Sequence, residues 1–310
     1  MSKSLDPTLI KKYFRNQKPP KLKALEAEGK KFTDPYFPPD YHCLTGQDEK
    51  GNSIDYEGAI DGIENLEACF PGITKGQSKN TEFRRISDMK GKWKVFEGKI
   101  EMDDIIQGNI GDCYFLTAIS ALSNYPYLIN EKFRTIEYSE LGYYEIILFI
   151  DGEWQVVFVD DYFPVYKSST QFLFATPHNN ELWVILLEKA WAKVNGGYAL
   201  IEGGMIDEAF LALTGFPSEY ISHDGLEPQE LFEKILESSK ENIVMGCGSL
   251  GETDKETVDG IVCSHAYTLS QAKLYKDPVE DIELIQVRNP WGQTEWEGPW
   301  SDNSSLWTQS

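Results

Sequence analysis

The chain has 310 residues, 41% of them hydrophobic and 25% charged, which is ordinary globular usage with enough length for one large domain or two lobes. Its 29 Lys and Arg against 50 Asp and Glu leave a formal charge of −21, which repels a phosphate backbone and argues against nucleic acid as a partner. The cysteines Cys43, Cys69, Cys113, Cys247 and Cys263 are odd in number and form no CxxC pair, MSKSLDPTLIKKYF lacks the apolar run of a signal peptide, and no apolar stretch approaches the ~18 residues of a membrane span. Disulfides, secretion and a transmembrane segment are therefore not expected, and a reducing cytoplasm is.

Residues 1–31 hold two short Lys-rich runs separated by Pro19-Pro20, and read as a leader outside the core. Residues 1–35 carry nine Lys or Arg against four Asp or Glu, so this end is basic and the rest of the chain carries the acidic excess. Acidity of that kind serves solubility, and it is also where cations collect.

From Cys113, CYFLTAISALSNYP places apolar residues at helical spacing, with Asp112 expected to cap the start and Pro126 to stop the helix. YYEIILFI and EWQVVFVD flank Asp151-Gly152, a dipeptide suited to a type I′ hairpin turn. NELWVILLEKAWAKV, after a capping Asn and before Gly196-Gly197, predicts a helix buried nearly all round. Shorter helices fit 205–213 and 227–239. Beyond about residue 240, ENIVMGC, HAYTLSQAKLY and DIELIQVRN are strand-like. Helix-rich then strand-rich texture predicts an α+β fold of two lobes, divided near Gly215-Phe216-Pro217.

A cysteine at a helix N-terminus has one of the features that lower a thiol's pKa, and Cys113 sits there behind Gly111-Asp112. Gln107 precedes it by six residues, while His265 and then Asn289 follow far downstream. That order suits a site in which His265 is general base and acid, Asn289 orients the imidazole, and Gln107 with the Cys113 N–H donates to an oxyanion. Each residue also has an ordinary use: cysteine as a small core hydrophobe, histidine as a structural group, and Asn before Pro as a turn former.

QGNIGDCYFLTAISAL, ELWVILLEKAWAKVNGGY, GIVCSHAYTL and VRNPWGQTEWEGPWSDNSSLW resemble signature blocks of the calpains. The likeness runs from FTDPYFPPD at residue 32 to the chain's end and includes DDYFPV and the TGF near the proposed boundary. It implies a papain-like two-lobed cysteine protease core, with Cys113 in a first half (32–216) and His265 and Asn289 in a second (217–310). It further implies a substrate cleft at Gly111, Ser264 and Trp291, Trp291 being the residue that shields the His–Asn bond from water.

The same resemblance implies calcium as cofactor, with no organic cofactor. Asp104 and Glu188 are the implied ligands in the first half, and Glu295 and Asp302 in the second. The implied partners are protein substrates, with a regulatory subunit or inhibitor protein as a further class.

Three positions depart from the family pattern. Tyr114 replaces a Trp, Ser264 replaces a Gly, and Met102 replaces an Arg that joins the halves in many calpains. The chain stops at Ser310 before the family's next block, so the second half is expected to be C-terminally truncated and its calcium site incomplete. The expected activity is a calcium-dependent endopeptidase acting through a thioester. The alternative is a non-catalytic, calcium-responsive peptide-binding module. Transglutaminase-type acyl transfer, which orients its His with Asp, is disfavoured by Asn289.

Overall fold

In the computed structural model, which describes residues 17–46, 66–67, 69–169, 171–276 and 281–307, helix α1 (Leu22–Ala27) forms the second Lys-rich run. The first run, within residues 1–16, lies outside the described residues. Leu22 and Leu25 of α1 pack with Phe32, Tyr143 and Phe158, so this segment is seated on the body of the fold.

Strand β1 (Thr81–Arg85) is followed by helix α2 (Cys113–Ser123), which is buried from Tyr114 to Ser123. Asp112 occupies the N-cap position but makes no side-chain capping bond, contrary to expectation; its carboxyl is turned into the core instead. Pro126 is not only a stop: it opens the next short helix, Pro126–Asn130, at a position where its missing N–H costs nothing.

Strands β2 (Tyr143–Ile150) and β3 (Glu153–Asp160) pair antiparallel from Tyr143↔Asp160 to Ile150↔Glu153. Asp151 and Gly152, at φ 52° and 83°, supply the left-handed pair that closes the hairpin. Strand β4 (Tyr162–Tyr166) pairs with β1. Helix α3 (Trp183–Asn195) is buried from Trp183 to Val194 and ends at Gly196, whose φ of 95° releases the chain. Its start is not the expected Asn cap: Asn179 and Asn180 form a left-handed turn at φ 48° and 62°, and Leu182 is the N-cap.

Two Asp-containing blocks explain how the early chain is anchored. Asp34, from FTDP, accepts from Lys193 Nζ at 2.6 Å, and its backbone N–H donates to Asp160 Oδ2 at 2.8 Å. Lys189 bonds Asp160, and Arg85 bonds Asp161. These charges are buried, so each depends on its partner for solvation.

Helices α4 (Ile206–Thr214) and α5 (Pro228–Lys240) lead into the strand-rich part, with Gly215 at φ 73° ending α4. Strands β5 (Met245–Gly248), β6 (Ala266–Tyr275) and β7 (Ile282–Arg288) form an antiparallel sheet in the order β7-β6-β5. The fold is therefore α+β, helix-rich before strand-rich. Helix α2 packs against β6, and Thr268 Oγ1 donates to Thr117 O at 3.2 Å across that seam. The helix that begins with Cys113 thus meets the sheet that carries His265. Among the described residues, no helix is long and apolar enough to cross a membrane.

Candidate active site

The Asn289 side chain makes four hydrogen bonds. Its Nδ2 donates to Gln293 O at 2.7 Å and to Thr294 Oγ1 at 2.9 Å, so Oδ1 must face the other way. Oδ1 lies 2.8 Å from His265 Nε2 and accepts the Trp291 backbone N–H at 3.0 Å. The acceptor fixes the tautomer: Nε2 carries the proton toward Asn289, leaving the Nδ1 lone pair free. His265 and Asn289 are both buried, and the Trp291 ring stands 4.6 Å, centroid to centroid, from the imidazole. Burial pushes the imidazole pKa down, against the Asn289 bond that favours the charged form.

Cys113 is half-buried at the first residue of α2, and its sulfur lies by Ala266, the residue after His265. Burial pushes its thiol pKa up to about 11, opposed by the Ala266 and Tyr114 backbone amides. Among the described residues no hydrogen bond joins Cys113 Sγ to the imidazole. His265 and Asn289 are assembled, whereas Cys113 and His265 are near each other without a bond that would pair them.

Gln107 is tied to both segments: its Nε2 donates to Ile110 O at 2.7 Å, and its backbone N–H donates to Pro290 O at 3.2 Å. Gly111 accepts close approach, because a Cβ there would stand 2.6 Å from Glu202 Oε1; its N–H donates to Glu202 Oε2 at 2.8 Å. Ser264, exposed beside His265, has φ 48°, a left-handed conformation that suits glycine better. Tyr114 accepts from Trp191 Nε1 at 3.0 Å and sits against Gly204.

A model of the calpain family of cysteine proteases matches residues 32–310. The chain belongs to the calpain family. It is 34% identical over 296 residues to the calpain-type cysteine protease ADL1 of Oryza sativa subsp. japonica, an alignment that takes in 92% of this chain and 13% of that protein. It is 39% identical over 224 residues to the calpain-type cysteine protease DEK1 of Zea mays, covering 69% of this chain and 10% of the relative. Against the calpain-1 catalytic subunit of Rattus norvegicus it is 36% identical over 218 residues, covering 66% and 30%. The chain thus spans a minor part of the length of these calpains.

The calcium ligands expected of a calpain are only partly brought together. Asp104 is buried, accepts from the Glu101 N–H at 2.8 Å and lies 3.2 Å from His178 Nδ1. Glu188 does not join it. On the inner face of α3, Glu188 Oε1 accepts the Ala175 N–H at 3.0 Å and its carboxyl faces Asp112.

The acid that does face Asp104 is Glu181, just before α3, which sequence reasoning passed over. Glu181 is buried, and desolvation together with the Asp104 charge raises its pKa to about 7. The signal was the position itself: an acid directly ahead of a helix buried all round cannot follow that helix into the core.

In the later part, Glu295 and Asp302 are neighbours, since the Asp302 charge helps raise the Glu295 pKa after desolvation. Both line a cavity of about 610 Å³ with Met102 and Arg288. Among the described residues no group of three or more His, Cys, Asp or Glu forms a metal cluster. Each carboxylate pair would therefore need backbone carbonyls to complete a shell, which is chemistry that suits a hard cation such as calcium.

Proposed function

We propose that this chain is the protease core of a calcium-responsive cysteine endopeptidase, in which Cys113 is the nucleophile, His265 the general base and acid, and Asn289 the residue that orients the imidazole. The observation that carries this reading is the 2.8 Å bond between His265 Nε2 and Asn289 Oδ1 under Trp291, with Cys113 on the helix packed against β6, the strand that His265 immediately precedes. With Nε2 committed to Asn289, Nδ1 takes the thiol proton as Sγ attacks the scissile carbonyl carbon. The Cys113 backbone N–H and the free amide hydrogen of Gln107 donate to the developing oxyanion. Nδ1–H then protonates the departing amine, leaving a thioester that water hydrolyses to free acid and thiol.

Two features support calcium control. Cys113 and His265 are not hydrogen-bonded, and a shift of one half against the other is one way to bring them together for the first proton transfer. Asp104, just before the Gln107 segment, and Glu181, just before α3, supply two buried carboxylates that face each other. Asp104 and Glu181 would hold a calcium ion there, which would supply the positive charge that relieves their repulsion and would anchor the segment between Asp104 and Cys113 against the start of α3. The substrates on this reading are proteins, bound as extended chain between the halves in a reducing cytoplasm.

The missing Cys113–His265 bond also favours a second reading, a calcium-responsive module that holds peptide without cleaving it. Casein hydrolysis by the purified chain, titrated with calcium, separates them, alongside labelling of Cys113 by an active-site-directed alkylating peptide. Calcium-dependent labelling with turnover is expected. Calcium-dependent peptide binding with neither labelling nor turnover would establish the second reading.

A further inference from the structure

We propose that Arg288 is the positioning residue that sets the register between the two halves, tying the segment that carries Gln107 to the segment that carries Asn289. This rests on the protease reading above. Arg288 ends β7, immediately before Asn289, and its guanidinium crosses the seam toward residues 103–105. Nη2 donates to Ile105 O at 3.1 Å, and Nε stands 3.6 Å from Asp103 Oδ1. Two residues further on, the Pro290 carbonyl accepts the Gln107 N–H at 3.2 Å. The residues on either side of Asn289 therefore grip residues 105 and 107, and Gln107 passes the constraint on through its 2.7 Å bond to Ile110 O, three residues before Cys113.

The two arginine contacts are unequal. Asp103 is 87% exposed on its side chain while Arg288 is 17% exposed, so the ion pair is screened and contributes little. The bond to Ile105 O joins a largely buried charged donor to a backbone carbonyl, and bonds of that kind are the stronger class. The neighbouring Met102 makes no comparable bond: it offers Ser270 Oγ only its sulfur, at 3.6 Å. Arg288 Nη1 is buried without a hydrogen-bond partner, and the residue lines the cavity shared with Glu101, Glu295 and Asp302, so one edge of the guanidinium is bonded across the seam and the other is not. A lysine keeps the charge but not the planar fork that reaches sideways to a carbonyl.

The test compares wild type with Arg288→Met, Arg288→Lys and Asp103→Asn by amide hydrogen exchange and by peptide hydrolysis. In Arg288→Met, exchange in residues 105–107 is expected to quicken about tenfold while α2 stays protected, and kcat to fall about tenfold with KM within twofold. Arg288→Lys should lie between Arg288→Met and wild type, and it carries the test should Arg288→Met fail to fold. Asp103→Asn should stay within twofold of wild type in both readouts. Unchanged exchange at 105–107 in the Arg288 variants overturns the proposal. So does a loss of activity matched by an equal loss of protection throughout α2 and β6, which would make Arg288 merely structural. If the wild-type chain hydrolyses nothing, the protease reading fails, but the exchange comparison still decides whether Arg288 ties the halves.

Discussion

The carboxyl groups of Asp112 and Glu188 face each other in the core, directly behind Cys113, and neither Asp112 oxygen has another partner. Burial and this like-charge contact hold the Asp112 pKa well above the usual carboxylate range, and burial raises that of Glu188 as well. A proton held between the two carboxyls would leave one negative charge fewer beside Cys113.

The pH consequence has a definite sign. Both folded-state pKa values are raised, so above about pH 4.5 the native state binds more protons than the unfolded chain, and this pair's contribution to stability falls as pH rises. Glu188→Gln keeps a hydrogen-bonding group without the second charge. Thermal unfolding between pH 5 and 8 should show a shallower decline in the variant than in wild type. Parallel declines would mean that the pair does not titrate in this window.

Cys113→Ser should abolish hydrolysis while leaving the unfolding temperature near wild type, whereas single changes at Cys43, Cys69, Cys247 and Cys263 should leave turnover. His265→Ala removes the proton carrier and should cost roughly 10²–10⁴-fold in kcat. Asn289→Ala should cost less, because the ring loses its orientation but not its nitrogen. Steady-state kinetics on one peptide rank the three, and equal mild losses for His265→Ala and Asn289→Ala would refute the assigned roles.

For calcium, Asp104→Asn and Glu181→Gln should each weaken binding measured by calorimetry, while Glu188→Gln should not. Calcium must displace the proton that Glu181 holds up to about pH 7, so affinity should rise between pH 5.5 and 7.5. Retained binding in the Asp104→Asn, Glu181→Gln double variant would place the ion elsewhere.

Ser264→Gly should stabilise the fold. The φ of 48° costs a serine about 1–2 kcal/mol, against about 0.5–1 kcal/mol for the freedom glycine gains in the unfolded chain. A higher melting temperature is expected for Ser264→Gly and a lower one for Ser264→Val, whose branched side chain tolerates this conformation worst. The reverse order would show that the backbone is not strained there.

Lys193→Met should destabilise by about 3–5 kcal/mol, since it leaves Asp34 buried without its cation, while Asp160 keeps Lys189. Denaturant unfolding measures it. A loss below about 1 kcal/mol would mean that water reaches the Asp34 carboxylate.

The sequence by itself determined the elements whose signals are local. Asp151-Gly152 between two apolar strands required a hairpin, Gly196 required a helix to end there, and the apolar positions of 113–123 and 183–195 required buried helices. The order of Gln107, Cys113, His265 and Asn289, with the blocks around them, was enough for the family. What it could not determine were the partners of buried polar groups, because a carboxylate's partner is chosen in three dimensions among residues distant in the chain.

Asp112 looked like a helix cap and instead faces Glu188; Glu188 looked like a partner for Asp104, and Glu181 has that place. The seam was equally illegible: nothing local in VRNP says that Arg288 reaches Ile105 or that Pro290 accepts from Gln107. Spacing along a chain fixes which face of a helix or strand a residue occupies, while desolvation makes each buried charge or donor find a partner, and only the packing of the halves supplies one.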